Sequence, residues 1–300
     1  MPQIFGGIAP VIIVKVYGGL GNQMFQYAAG RRLALHHDVR LKLDLSWFPK
    51  QRLRSYGLTA FQIQADVASP SEIERLAGSE DARAVRFLRR VLGRPRQRPP
   101  SHYSEVNYDF DPSVLNLPSS SYLDGYWQNE RYFEDQALQV RKDFELNIPL
   151  SERSLRFAEE IANSSSIGIH IRRGDYVSSQ KTQDFHGVCG ADYYHRALEL
   201  VLGTTTEPHL FVFSDDPTWA RTLNFGHRTT IVSSHEPSRD FEELWLLSRC
   251  NHHVISNSSF SWWAAWLAPH DDARTCAPRL WFQDPSLAPF TPIPSRWRRT

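Results

Sequence analysis

The chain has 300 residues, more than one ordinary core organises, so two domains of about 150 residues with a cleft between them are expected. Its composition, 41% apolar, 22% charged and 12% aromatic, is that of a globular protein and excludes a disordered class. A formal net charge of +1 provides no global field for nucleic acid, so any anionic ligand has to be gripped by a local cluster of cations.

The N-terminal apolar run Ile8 to Val16 is short, carries Pro10 and Lys15, and lacks both a basic leader and a small-residue cleavage site. It therefore reads as a buried strand rather than a targeting segment. Its β-branched part, Val11 to Val16, meets Gly18-Gly19-Leu20-Gly21 and then Phe25, Ala28, Ala29 and Leu33 at helical spacing, with Asn22 as the expected helix cap. Val39 to Leu45 alternates like a second strand, completing a βαβ opening. Arg83 to Arg98 carries seven arginines and no acid, which reads first as a solvated amphipathic helix and loop. Tyr122 to Phe133 is aromatic and polar without clean periodicity.

A second α/β unit begins near Ser166. Strands are expected at Ile167 to Ile171, His209 to Phe213, Thr229 to Val232 and His253 to Ser256. Helices are expected at Ala191 to Leu202, Asp240 to Cys250 and Ser258 to Leu267. Such alternation implies parallel sheets wound by right-handed crossovers, with ligands beyond the carboxyl ends of the strands. The predicted division is an N-terminal α/β domain over 1–150 and a C-terminal one over 151–300. Cys189, Cys250 and Cys276 are odd in number and lack CxxC spacing, which points away from a disulfide framework or zinc site and fits a reducing compartment.

Four polar clusters fall at strand ends. Gly19, Gly21 and Asn22 sit in a glycine turn that lets backbone approach an anion at a helix N-terminus, although a plain tight turn has the same sequence. His170, Arg172, Arg173 and Asp175 follow a buried strand; alternation puts His170 and Arg172 on one side, with Arg172 suited to phosphate and Arg173 to an ion pair with Asp175. Asp215 and Asp216 follow the next strand. They are adjacent rather than spaced as DxD, which favours base recognition over a metal, and Asp216 before Pro217 also fits an N-cap. Ser258, Ser259 and Phe260 open an aromatic helix whose hydroxyls and N–H groups can seat an anion, while Trp262 and Trp263 are expected in the core. Together these groups describe a nucleotide-diphosphate site.

The segments GGLGNQMFQYA (18–28), HIRRGDY (170–176), FSDD (213–216) and LLSRCNHHVISNSSFSWWAAWL (246–267) resemble the signature segments of the α-1,2-fucosyltransferases of bacteria, glycosyltransferase family 11. The resemblance spans residues 11 to 282 and implies a GT-B-type fold of two facing Rossmann-like domains. It also implies GDP-fucose as donor, a galactose-terminated oligosaccharide as acceptor through its 2-hydroxyl, inversion at the anomeric carbon, no cofactor and no required metal. Arg172 then contacts the diphosphate with Gly19, Gly21 and Asn22 near it, Ser258, Ser259 and Phe260 assist, and one of Asp215 and Asp216 binds guanine. Asp175 and His170 are the positional candidates for a general base. The rival readings are a nucleotide- or glycan-binding module without catalysis and a transferase of another sugar nucleotide. The expected location is cytoplasmic, with Arg83 to Arg98 as a possible peripheral contact on the inner membrane face.

Overall fold

A computed structural model gives the fold and describes residues 9–51, 54–78, 98–174, 185, 187–233, 239–287 and 289–300. Asp175 and nearly all of the arginine-rich run 83–98 lie outside these residues.

The N-terminal sheet contains β1 (Val11–Lys15), β2 (Arg40–Asp44), β3 (Asp66–Val67), β4 (His102–Ser104) and β5 (Ser121–Asp124) in the order β3-β2-β1-β5-β4. All its pairings are parallel. The run Val11-Ile12-Ile13-Val14 is buried on both faces, which is why it reads as continuously apolar rather than alternating. The turn after it does not use Asn22 as a cap. Gly18 takes φ 82°, Gly19 is the extended N-cap, and α1 (Leu20–His37) is already under way when the chain reaches Asn22. A left-handed residue at position 18 is open to glycine at little cost, so the helix starts three residues earlier than the cap signal suggests. The helix ends on Asp38 at φ 51°, with His36 and His37 in its last turn. Helix α2 (Pro70–Ala77) carries a complete capping box between Ser69 and Glu72.

The C-terminal sheet contains β6 (Ser165–Ile171), β7 (Pro208–Ser214), β8 (Arg228–Ile231), β9 (His252–Val254), β10 (Thr275–Ala277) and β11 (Arg298–Arg299) in the order β11-β10-β9-β6-β7-β8, again parallel. Between the two sheets come α3 (Ala137–Asp143) and α4 (Glu152–Ala162); within the second unit follow α5 (Ala191–Leu202), α6 (Pro217–Ala220), α7 (Asp240–Arg249) and α8 (Ser259–Trp266). In each sheet the order reverses at the central strand, beside β1 and beside β6. The crevice past those strand ends is the ligand position of an open α/β sheet.

The units share one apolar core, and α8 is its bridge. Trp262 and Trp263 are fully buried, with Phe25 of α1 centred 4.5 and 4.9 Å from them and Phe133 stacked on Trp263 at 5.3 Å. The expected core role of both tryptophans therefore holds. Truncating either would cost about 3–5 kcal/mol by the usual measure for large buried aromatics. This seam fixes the N-terminus of α8 against that of α1, the two ends that carry the polar clusters.

Candidate active site

Register places the first cluster. Ile171 of β6 pairs with Ser214 of β7, so Arg172 and Asp215 leave adjacent parallel strands at the same level. Arg172 Nη1 lies 3.0 Å from Asp215 Oδ2. The Asp215 carboxylate also accepts the backbone N–H of Arg173 at 2.8 Å and of Gly174 at 3.1 Å. Both side chains of the ion pair are about a quarter exposed, so the pair itself adds at most about 1 kcal/mol of stability. Its consequence is orientation of a guanidinium at the mouth of the sheet.

Arg173 turns the other way, as alternation requires. It lies over the Trp219 ring at 4.0 Å and reaches Asp216 Oδ2 at 3.4 Å, so its described partners belong to α6; Asp175 is outside the described residues. Asp216 is indeed the N-cap of α6, accepting Trp219 N–H at 2.9 Å. The two acids of the FSDD segment are thus committed to arginines and to backbone N–H groups.

His170 is buried and its Nδ1 hydrogen-bonds Ser256 Oγ at 2.9 Å, while its ring stacks on Phe260 at 5.3 Å. Burial, reinforced by the Arg172 charge, pushes its pKa down to about 3. A neutral imidazole with so little proton affinity is a weak general base, and its contacts fit it to hold Ser256 and Phe260 in place. The unfolded imidazole titrates near 6.5, above the folded value, so the neutral form stabilises the fold above about pH 6.5 and this contribution declines as pH falls towards 3. His170→Asn should therefore show a smaller loss of melting temperature than the parent protein between pH 6.5 and 4. Parallel calorimetric melts check this, and equal slopes would refute it.

The second cluster joins the two units. Asn22 Oδ1 accepts hydrogen bonds from Ser259 Oγ and from Gln128 Nε2, both at 2.8 Å. Gly21 lies so close to the start of α8 that a Cβ there would sit 2.5 Å from Phe260 N and 2.6 Å from Ser259 O. Ser258 is the buried, extended N-cap of α8 without a side-chain cap bond, and its N–H is turned back to Ser256 O at 2.8 Å. Gly21, Asn22, Ser258, Ser259 and Phe260 therefore meet at one junction, Gly19 stands just before it in the turn and faces Arg54, and His170 connects the junction through Phe260 to the strand carrying Arg172.

Several contributors were not legible as site residues. Gln128 belongs to the aperiodic stretch after β5, where Trp127 adopts a left-handed backbone at φ 57° and Glu105 accepts the N–H groups of Tyr126 at 2.6 Å and Trp127 at 3.0 Å. A strained non-glycine residue held by a carboxylate, next to the residue that grips Asn22, is the pattern of a positioned loop. Burial raises the pKa of that Glu105 carboxyl. Asp240, the first residue of α7, is open to solvent on one side, yet protein crowding and Glu243 push its pKa up to about 6 against the pull of Arg54 and Arg172. It is an acid in the field of Arg172.

Along the carboxyl edge of the first sheet runs a chain of aromatic rings: Trp47 to Tyr17 at 6.3 Å, Tyr17 to Tyr126 at 5.0 Å, Tyr126 to Tyr108 at 6.5 Å and Tyr108 to Phe282 at 4.8 Å. The last contact crosses to the C-terminal unit.

Two facing Rossmann-like units with an oriented arginine and a glycine–asparagine–serine junction between them define a GT-B-type glycosyltransferase. Solved structures agree on the fold. Arabidopsis thaliana FUT1 in complex with GDP aligns over 90% of this chain and 70% of its own with a TM-score of 0.51 at 12% identity. Fucosyltransferase NodZ from Bradyrhizobium aligns over 89% and 97% with a TM-score of 0.50 at 14% identity. The family model described as glycosyl transferase family 11 matches residues 101–290, and the chain belongs to that family. An alpha-1,2-colitosyltransferase of Escherichia coli is 32% identical, covering 96% of this chain and 98% of the relative. The O-antigen biosynthesis glycosyltransferase WbnK, also of Escherichia coli, is 30% identical over 88% and 93%. Galactoside 2-alpha-L-fucosyltransferase SEC1 of Bos taurus is 30% identical over 86% of this chain and 64% of its own length.

Proposed function

We propose that this glycosyltransferase moves L-fucose from GDP-fucose to the 2-hydroxyl of a terminal galactose, with inversion at the anomeric carbon. The observation that carries the reading is Arg172, aimed by Asp215 past the end of the strand whose His170 stacks on Phe260 of the Asn22–Ser259 junction. An oriented guanidinium, assisted by N–H groups at a helix start, stabilises a diphosphate as it departs, which is where charge develops when an oxocarbenium-like sugar forms. In this reading the C-terminal unit, from about residue 151, holds the GDP-sugar, and the N-terminal unit supplies the glycine loop and most of the acceptor side.

A second donor is favoured by the colitosyltransferase relative. Colitose is fucose without its 3-hydroxyl, so the two readings differ by one polar group. A site built to hydrogen-bond a hydroxyl rejects the analogue lacking it by about 10⁴-fold or more, whereas one that merely accommodates it discriminates weakly. Incubation with lactose and either GDP-fucose or GDP-colitose, followed by mass analysis of the trisaccharide, decides between them. Tight GDP binding with no turnover on either donor would favour a non-catalytic binding module and overturn the proposal.

Activity should survive EDTA, because Asp215 and Asp216 already hold arginine and backbone partners and would have to exchange them to ligate a cation. Loss of turnover in EDTA that Mn²⁺ restores would refute this. Among the described residues no helix is long and apolar enough to cross a membrane. A peripheral contact through the arginine-rich run would appear as co-sedimentation with anionic vesicles at low salt, and its absence removes the idea.

A further inference from the structure

We infer that Tyr17, Tyr126 and Tyr108 form the platform on which the acceptor's terminal galactose ring is stacked and held. The inference rests on the transferase reading above and deepens it by naming the acceptor surface.

These three phenols differ from Tyr27, Tyr122 and Tyr132 of the core. Tyr27 donates to Asp143 at 2.7 Å, Tyr122 donates to Asp44 at 2.6 Å, and Tyr132 accepts the Asp111 N–H at 2.9 Å. The hydroxyls of Tyr17, Tyr108 and Tyr126 make no hydrogen bond among the described residues, and all three rings are only partly buried. Half-buried rings with uncommitted hydroxyls waste contact area and hydrogen-bonding capacity in an empty site, and both are recovered when a polyhydroxylated ring covers them. Burial raises the pKa of each phenol, so each remains a donor at any physiological pH.

Position fixes the occupant. Tyr17 immediately precedes the glycine turn, and Tyr126 lies two residues before Gln128, which donates to Asn22. The platform therefore borders the junction proposed to hold the donor, on the side of the N-terminal sheet. Lys15 and Asp124, paired at 3.2 Å, lie at the ends of β1 and β5, with Lys15 Nζ 5.7 Å from the Tyr17 centroid. Arg98 reaches the same carboxylate at 3.7 Å, and such charged groups side by side can take adjacent hydroxyls of a sugar. Galactose suits the rings because its axial 4-hydroxyl leaves the C3–C4–C5 hydrogens together on one face, which is apolar enough to lie on an aromatic ring.

The test separates ring, hydroxyl and fold. Tyr126→Leu keeps apolar packing without the ring, and Tyr126→Phe keeps the ring without the hydroxyl. Tyr126→Leu is expected to raise the acceptor KM about tenfold or more, equivalent to ~1.4 kcal/mol, with the donor KM and the GDP Kd unchanged. Tyr126→Phe should raise it only a few-fold. Saturation-transfer NMR with lactose plus GDP, which requires no turnover, should show transfer to the galactose ring in the parent protein and its loss in Tyr126→Leu. An unchanged acceptor KM in folded Tyr126→Leu, or no saturation transfer to lactose or N-acetyllactosamine in the parent, overturns the platform. Failure of GDP to bind in calorimetry would instead overturn the donor reading, and the NMR arm would still decide the platform.

Discussion

Arg172→Ala is expected to fold normally and to lose about 100-fold or more in kcat, roughly 3 kcal/mol, by comparison with the loss of a single preorganised donor to a developing oxyanion. Asp215 keeps two backbone N–H partners when the guanidinium is removed, so the fold should lose at most about 1 kcal/mol. Arg172→Lys should recover little. An ammonium at the end of a flexible stem can neither sit against Asp215 in the same plane nor grip two phosphate oxygens together. Arg173→Ala should behave in the opposite way: it removes the stacking on Trp219 and the contact with Asp216, lowering the melting temperature while leaving kcat largely intact. Initial rates and thermal melts on the three variants separate these outcomes. A near-parental rate for folded Arg172→Ala would remove this residue from the mechanism.

The strand–helix alternation, both parallel sheets and the burial of Trp262 and Trp263 could be read from the chain because each is a local pattern: β-branched runs, helical spacing, and an aromatic helix too apolar to face water. The residues proposed for the donor site are legible as candidates for a related reason, since their clusters follow strand ends, where a parallel sheet delivers its ligands. Partners were not legible. The sequence offers one of Asp215 and Asp216 as a reader of guanine without distinguishing them, and the contact of Asp215 with Arg172 depends on a β6–β7 register that no local pattern encodes. Asn22 was expected to cap its own helix, and it instead joins Gln128 and Ser259 across 106 and 237 residues of sequence. The aromatic edge was visible only as an aperiodic run, because β5 is four residues long and the rings that matter follow it in irregular backbone.

Gly21→Ala tests whether the glycine turn serves packing or ligand approach. A methyl group at position 21 would lie 2.5 and 2.6 Å from the backbone of Phe260 and Ser259, and backbone cannot rotate aside as a side chain tip can. Either α1 or α8 must shift, and α8 is held by Trp262 and Trp263 against Phe25. Overpacking at such a seam costs about 1–3 kcal/mol, which for a chain of this size lowers the melting temperature by several degrees. The shift also pulls Ser259 away from Asn22, so turnover should fall by more than the stability loss explains. Gly19→Ala is the control. A Cβ there meets only Arg54 Nη1 at 3.9 Å, an ordinary contact, and the residue has an extended backbone that alanine adopts freely. Its stability should stay within about 0.5 kcal/mol of the parent. If its turnover nonetheless drops, the added methyl is meeting the donor phosphate rather than protein, and Gly19 serves ligand approach where Gly21 serves the junction. Equal melting temperatures for Gly21→Ala and Gly19→Ala would show that the two helix ends are not in the contact described and would undo the account of how the units are held together.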